Sequence, residues 1–159
     1  MSTTTLSVDC GGGGIQASVL DAEGNIISRA VRTPTPYPLP PEKLVETIAS
    51  LASQLPGADR VTVGMPGMIR HGVVITTPHY ITKSGPRSKV MPELVPLWAR
   101  FDMREALQNQ LDLPTLVLND AEVAGAGVVT GQGLEMIVKL GTGLGNAIFD
   151  NGRMGPTVE

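Results

Sequence analysis

A chain of 159 residues that is 42% hydrophobic, with a formal net charge of −3, has the size and apolar content of one ordinary globular domain. Its charges are scattered, and the acidic balance excludes the electrostatic attraction on which binding to nucleic acids and anionic membranes depends. We therefore expect a small-molecule ligand, and no nucleic acid or membrane as partner.

The N-terminal third is predicted to form three short strands, a connector and a helix. Five prolines between residues 33 and 41 remove backbone donors and predict an extended connector on the surface. Leu44, Ile48, Leu51 and Leu55 recur at helical spacing before a Pro-Gly stop. The predicted elements are strands at 6–9, 15–20 and 26–31 and a helix at 41–55.

The remaining elements alternate strands with helices. A hairpin is expected around His71 and Gly72, and residues 77–96, with four prolines and no period, predict a long functional loop. The other predicted elements are strands at 60–64, 115–118, 136–140 and 147–149, a helix at 98–111, and a helix of small residues from 119 to near 131.

This order predicts an α/β fold, a mixed sheet with an antiparallel edge and flanking helices. Strands begin again near residue 136, so we expect the start of a second, similar lobe. The predicted division is an N-terminal lobe at 1–133 and the first hairpin of a truncated C-terminal lobe at 134–159. An open strand edge and an apolar sheet face favour a homodimer, and cover by the chain's own helices is the alternative.

Targeting and metal signals are sparse. No apolar run approaches a membrane span of roughly 18 residues, and the first residues lack the basic and apolar regions of a signal peptide, so we expect a cytoplasmic protein. Cys10 has no disulfide partner. It forms no credible zinc cluster with His71 and His79, both expected at the surface.

Two glycine turns between predicted strands are candidate phosphate-binding loops. Consecutive glycines let backbone N–H groups surround an anion, and Asp9, just before the first turn, could hold Mg²⁺ through water. A flexible hairpin turn is an equally good interpretation of the first turn alone. Thr142 adds a hydroxyl to the second turn. The candidate residues are Gly11, Gly12, Gly13 and Gly14 in the first turn and Gly141, Thr142, Gly143 and Gly145 in the second.

Asn119 and Asp120 follow a predicted buried strand and open a helix. Asp120 could take the proton of an attacking hydroxyl, and Asn119 could orient a neighbouring hydroxyl. Helix capping is the strong alternative, although it explains one of the two residues better than both.

A further glycine-proline turn follows the strand at 60–64. Gly64, Pro66 and Gly67 suit either a close approach of a ligand to the backbone or an ordinary tight turn. The cations in the 77–96 loop are interpreted as solvated charges.

Four motifs in order, Asp9-x-Gly-Gly, Gly64-x-Pro-Gly, Asn119-Asp120-Ala121 and Gly141-Thr-Gly-x-Gly, resemble the ROK family of sugar kinases and regulators. The likeness runs the whole chain and is greatest to the bacterial polyphosphate glucokinases of that family. It implies an actin-like ATPase (ribonuclease H-like) fold of two lobes. It also implies Mg²⁺, a donor that is ATP or polyphosphate, and a hexose that receives the phosphoryl group on its 6-hydroxyl.

The same resemblance implies roles for individual residues. The two glycine turns contact donor phosphates, Asp120 deprotonates the sugar hydroxyl, Asn119 binds sugar hydroxyls, and Glu159 stands where the family has a sugar-binding glutamate. The first turn departs from the family pattern, since Gly13 replaces a hydroxyl residue and Gln16 replaces a lysine. A non-catalytic sugar-binding protein is therefore the alternative to a kinase. A transcriptional repressor is weakly supported, because no basic helix-turn-helix precedes Asp9.

Overall fold

The computed structural model describes residues 2–141 and 143–155. The strands are β1 (Thr5–Cys10), β2 (Gly14–Leu20), β3 (Val31–Pro34), β4 (Arg60–Met65), β5 (Met68–Arg70), β6 (Val73–Thr76), β7 (Thr115–Asn119), β8 (Leu134–Leu140), β9 (Leu144–Asp150) and β10 (Arg153–Met154). The helices are α1 (Pro41–Ala52), α2 (Val95–Trp98), α3 (Met103–Leu111) and α4 (Asp120–Ala126), with a 3-10 turn at Pro92–Leu94.

The larger sheet has five strands in the order β3-β2-β1-β4-β7. The first three strands pair antiparallel, whereas β4 pairs parallel with both β1 and β7. Parallel strands place their carboxyl ends at one edge, so the residues that follow β1, β4 and β7 meet there. Strands β8, β9 and β10 form a separate antiparallel sheet, and β5 with β6 forms a small hairpin.

The core lies on one face of the five-stranded sheet, beneath α1 and α3. Alternate residues of each strand point to that face, so Val8 and Val63 are buried. Asp9, the next residue after Val8 in β1, points to the opposite face and is exposed. The Nε1–H of Trp98 donates to the carbonyl oxygen of Leu39 at 2.8 Å, which satisfies the indole inside the core. Core side chains supplied by α1 include Leu44, Val45, Ile48 and Leu51.

Helix α4 packs between the two larger sheets, and a glycine lies at each contact. A Cβ on Gly64 of β4 would lie 3.2 Å from Val123 of α4. On the other side, a Cβ on Gly125 of α4 would lie 2.7 Å from the ring of Phe149 in β9. The short α4 thus fixes the β8–β9 hairpin relative to the end of β7.

Several predicted boundaries are wrong. Strand β3 spans Val31–Pro34 and not 26–31, and Ile26 makes only an isolated bridge to Leu20. The proline connector does not lie wholly at the surface, because Leu39 is fully buried. The helix predicted at 98–111 is interrupted at Arg100, which has a φ of 61°.

The remaining helices are shorter than predicted, and the 77–96 loop is better packed. Helix α1 ends at Ala52, and α4 ends at Ala126. Within the loop, Tyr80 is fully buried and Thr82 nearly so. Among the described residues no helix combines the length and the apolar character that a membrane crossing requires.

Candidate functional site

An open cleft of about 460 Å³ lies where the carboxyl ends of β1, β4 and β7 face the β8–β9 hairpin. It brings together both glycine turns, the glycine-proline turn after β4, and the start of α4. The predicted site residues in its lining are Gly11, Gly12, Pro66, Gly67, Asn119, Asp120, Gly141, Gly143 and Gly145.

Other predicted site residues lie elsewhere. Within 2–141 and 143–155, Asp9, Gly13, Gly14 and Gly64 are not part of the cleft lining. Gly64 packs against α4, and the space beside Gly14 is filled by the Arg32 guanidinium, whose Nε lies 2.9 Å from where a Cβ would stand. Thr142 and Glu159 lie outside the described residues.

The first glycine turn is fastened by hydroxyl groups from outside the turn. The carbonyl oxygen of Gly11 accepts from Thr35 Oγ1 at 2.9 Å and from the Tyr80 hydroxyl at 3.3 Å. The carbonyl oxygen of Gly12 accepts from the Tyr37 hydroxyl at 2.9 Å. These bonds occupy the electronegative carbonyl oxygens, which would otherwise repel an anion bound at the turn.

Burial keeps these tyrosines protonated. It raises the pKa of Tyr37 to about 12 and holds the pKa of Tyr80 well above its usual range. A phenol of ordinary pKa is already a hydrogen-bond donor at neutral pH, and the raised pKa values keep both phenols donors into the alkaline range. Burial also raises the pKa of the Cys10 thiol, and the Asp9 and Asp120 carboxylates act in the same direction, so Cys10 is not a thiolate nucleophile.

Asn119 both caps α4 and anchors the turn after β4. Its Oδ1 accepts from the backbone N–H of Ala121 and its Nδ2 donates to the carbonyl oxygen of Gly67, both at 2.8 Å. Its own N–H donates to Glu122 Oε2 at 2.9 Å, which completes a capping box. Gly67 has a φ of 112°, and a Cβ there would collide with the carbonyl oxygen of Thr76, so the turn requires glycine.

Asp120 is paired with a cation that the sequence analysis did not single out. Its Oδ2 lies 2.8 Å from the Nζ of Lys139 on β8, and both residues line the cleft. The side chains of Lys139 and Asp120 are 35% and 24% exposed, so the pair remains in contact with solvent. Side chains alternate between the two faces of β8, and this alternation was the one sequence signal for the direction of Lys139. The apolar residues Met136 and Val138 suggested that their own face is buried, which would turn Lys139 outward.

His79 also lines the cleft, with a buried Nδ1 that has no hydrogen-bond partner in the described part of the chain. His71 is exposed, as predicted, whereas His79 is half-buried at the cleft. No cluster of three or more His, Cys, Asp or Glu residues suited to a metal ion occurs among the described residues.

Comparison with known proteins adds the family. The ROK family profile matches residues 5–156. The polyphosphate glucokinase of Mycobacterium tuberculosis (strain ATCC 25618 / H37Rv) is 28% identical over 160 residues, which cover 96% of this chain and 55% of that protein. An N-acetylmannosamine kinase of Escherichia fergusonii is 30% identical over 159 residues, covering 95% of this chain and 49% of that protein.

The fold has the same relatives. The crystal structure of an inorganic polyphosphate/ATP-glucomannokinase from Arthrobacter sp. strain KM superposes with a TM-score of 0.79 at 29% identity, covering 99% of this chain and 62% of that one. The chain thus spans about half the length of the curated relatives it matches. The predicted actin-like lobe, with a mixed sheet and flanking helices, is confirmed. The chain belongs to the ROK family.

Proposed function

We propose that this chain carries the proton-accepting and phosphate-binding parts of a sugar kinase, which transfers a phosphoryl group from ATP or polyphosphate to the 6-hydroxyl of a hexose. The observation that carries the proposal is the position of Asp120, in one cleft with both glycine turns. The relatives' names support the reaction class, since they include a polyphosphate glucokinase and a polyphosphate/ATP-glucomannokinase.

In the proposed reaction the Asp120 carboxylate takes the proton of the sugar hydroxyl. The hydroxyl oxygen forms a bond to the terminal phosphorus of the donor, and the bond from that phosphorus to its bridging oxygen breaks. The bridging oxygen keeps the electron pair and leaves with ADP or the shortened polyphosphate. A base at this position helps mainly through geometry, because phosphoryl transfer depends more on positioning and charge stabilisation than on basicity.

The remaining predicted residues take supporting roles in the proposal. Backbone N–H groups of Gly12, Gly13 and Gly143, with the Thr142 hydroxyl, bind donor phosphates. The N–H groups of Gly11 and Gly141 already donate to the carbonyl oxygens of Gly14 and Gly143 within the turns. Asn119 has one amide N–H and lone-pair capacity left after capping, which suits a sugar hydroxyl. Gly64, Pro66 and Gly67 shape the rim, and Glu159 binds another sugar hydroxyl.

Asp9 is proposed to hold Mg²⁺ through water. Its side chain is exposed. In the sheet, Asp9 of β1 is paired with Gln16 of β2 on one side and with Gly64 of β4 on the other. A single carboxylate fits a Mg²⁺ ion that keeps most of its waters and takes its other ligands from phosphates. When bound, the ion would neutralise negative charge on the donor.

The alternative is a sugar-binding protein without kinase activity. Gln16 pairs directly with Asp9 across β1 and β2, so no side-chain cation stands at that strand position. The loss of a positive charge removes stabilisation of a phosphoryl transition state. The two proposals differ in turnover and agree on sugar binding.

The test is the Asp120→Asn variant of the complete protein, assayed for sugar phosphate by mass spectrometry. We expect kcat to fall by about 10²–10⁴-fold, since a positioned general base contributes that much, while calorimetric affinity for the sugar changes by less than about threefold. Glu93→Gln, which removes an exposed carboxylate outside the cleft lining, is the matched control and keeps wild-type kcat.

Two results would contradict the proposal. An unchanged kcat in the Asp120→Asn variant would show that Asp120 does not accept the proton in the reaction. Calorimetric sugar binding by the complete protein, with no phosphorylated product from any common hexose and either donor, supports the non-catalytic alternative.

A further inference from the structure

Lys139 occupies an unusual position for a lysine. It lies on β8 immediately before the second glycine turn, and its side chain points into the cleft, opposite to the exposed side chains of Met136, Val138 and Leu140. Among the described residues that line the cleft, it is the one lysine or arginine.

The Lys139–Asp120 pair is poorly explained as a stabilising contact. Both side chains remain partly solvated, and ion pairs of this kind contribute about 0–1 kcal/mol to stability. The pair does have an effect within the site: its 2.8 Å contact occupies Asp120 Oδ2, one of the two oxygens available to a proton from a hydroxyl group.

A bound polyanion changes this balance. A phosphate oxygen held by the Gly143 N–H would lie in the same cleft as Lys139. A multiply charged phosphate competes strongly with one carboxylate for an ammonium group. The ammonium group of Lys139, at the end of a flexible four-carbon side chain, can move from the Asp120 carboxylate to the phosphate without movement of the backbone.

We propose that Lys139 is a donor-binding residue that exchanges partners. Without donor it pairs with Asp120, and on donor binding its ammonium group pairs with a phosphate oxygen and leaves the Asp120 carboxylate free for the sugar hydroxyl. Lys139 keeps its proton throughout and forms no covalent bond. This inference rests on the proposed function for the role of Asp120, but its anion-binding part can be measured without turnover.

The experiment titrates the full chain with inorganic tripolyphosphate by calorimetry, at constant ionic strength and without sugar. Lys139→Met, which keeps the length of the side chain and removes its charge, is expected to weaken binding by about tenfold or more, as for loss of a charge-assisted hydrogen bond. Lys139→Arg keeps affinity within about threefold. Lys89→Met, which removes an exposed loop charge, leaves affinity unchanged.

A double-mutant cycle tests the exchange itself. Asp120→Asn frees Lys139 from its partner, so it should tighten tripolyphosphate binding by about threefold to tenfold. In the Lys139→Met background the same substitution should give a clearly smaller gain, since only general charge repulsion is then removed. A purely structural role for the pair predicts weaker binding in both single variants.

The outcomes separate this inference from the kinase proposal. Tripolyphosphate binding that depends on Lys139, in a complete protein that makes no sugar phosphate, supports the inference and contradicts the kinase proposal. Turnover with tripolyphosphate affinity unchanged in Lys139→Met contradicts the inference alone. Absence of tripolyphosphate binding, or equal gains from Asp120→Asn in both backgrounds, also overturns it.

Discussion

The first glycine turn obtains its rigidity from residues far away in sequence. Four consecutive glycines carry a high conformational entropy, and no side chain of their own can restrain them. Thr35, Tyr37 and Tyr80 supply that restraint by donating to the turn's carbonyl oxygens. The sequence shows the flexibility of the turn, whereas the hydroxyls that remove it come from the proline connector and the 77–96 loop.

Tyr37→Phe should destabilise the chain by about 1 kcal/mol at neutral pH, because the Gly12 carbonyl oxygen loses its hydrogen bond. The folded pKa of Tyr37, about 12, lies above its ordinary value of 10.0. Its contribution is therefore complete below pH 10 and is lost as the pH rises towards 12, since the unfolded phenol ionises first.

Urea unfolding of both proteins across the alkaline range checks this prediction. The difference in free energy of unfolding between wild type and Tyr37→Phe should be constant up to about pH 10 and shrink above it. A difference that stays constant or grows with alkalinity is the contrary result.

At the scale of elements, helix α4 positions the site because it contacts both sheets closely. Glycines at the contacts permit this approach: Gly64 beneath the helix, and Gly125 against Phe149 and Ile137. Gly145 likewise leaves room for the Ala121 methyl group, 3.0 Å from where a Cβ would lie. The distance between Asp120 and Lys139 therefore depends on these glycines, which have no functional side chain.

Gly125→Ala reverses the usual effect of alanine in a helix. Helix propensity alone favours alanine by up to about 1 kcal/mol, but the new methyl group would lie 2.7 Å from the buried Phe149 ring. Overpacking of this kind costs about 1–3 kcal/mol, so we expect net destabilisation of about 1–2 kcal/mol in urea unfolding.

Gly127→Ala is the matched control for Gly125→Ala. Its Cβ would meet nothing closer than the carbonyl oxygen of Ala124 at 3.6 Å, and its φ of −82° suits alanine. We expect a neutral or slightly stabilising effect, up to about 1 kcal/mol. Equal effects of the two substitutions would show that the α4 contact with β9 has room to adjust.

Most strand positions, though not that of β3, and the motif order were predictable from the sequence, because period-two burial and glycine turns are local signals. The interruption at Arg100 was not, since the helical pattern continues across it and a left-handed residue is unfavourable in local terms. The orientation of Lys139 could not be predicted either, because the apolar pattern of β8 is misleading. Leu134, Met136, Val138 and Leu140 indicate a buried face, and in the structure these residues are exposed.

At the scale of the whole 159-residue chain, this exposed row forms an apolar surface along one strand. Leu134, Met136, Val138 and Leu140 are 51–81% exposed on one face of β8, and Leu144 beside them is 72% exposed. Within residues 2–141 and 143–155, strand β8 is also an edge strand, because the order of its sheet is β10-β9-β8. An apolar face beside an unpaired strand edge favours association with a second copy of the chain.

We therefore predict that the 159-residue chain self-associates in a concentration-dependent manner in sedimentation velocity. The double substitution Met136→Lys and Val138→Lys should make it monomeric, because charged side chains oppose the pairing of two apolar faces. Both sites are exposed, so the free energy of unfolding should change by less than about 1 kcal/mol. Val90→Lys with Leu97→Lys, two equally charged changes at exposed positions away from β8, should leave association intact. A wild-type chain that is monomeric at every concentration, or a β8 variant that associates as strongly as wild type, contradicts a role for this face in self-association.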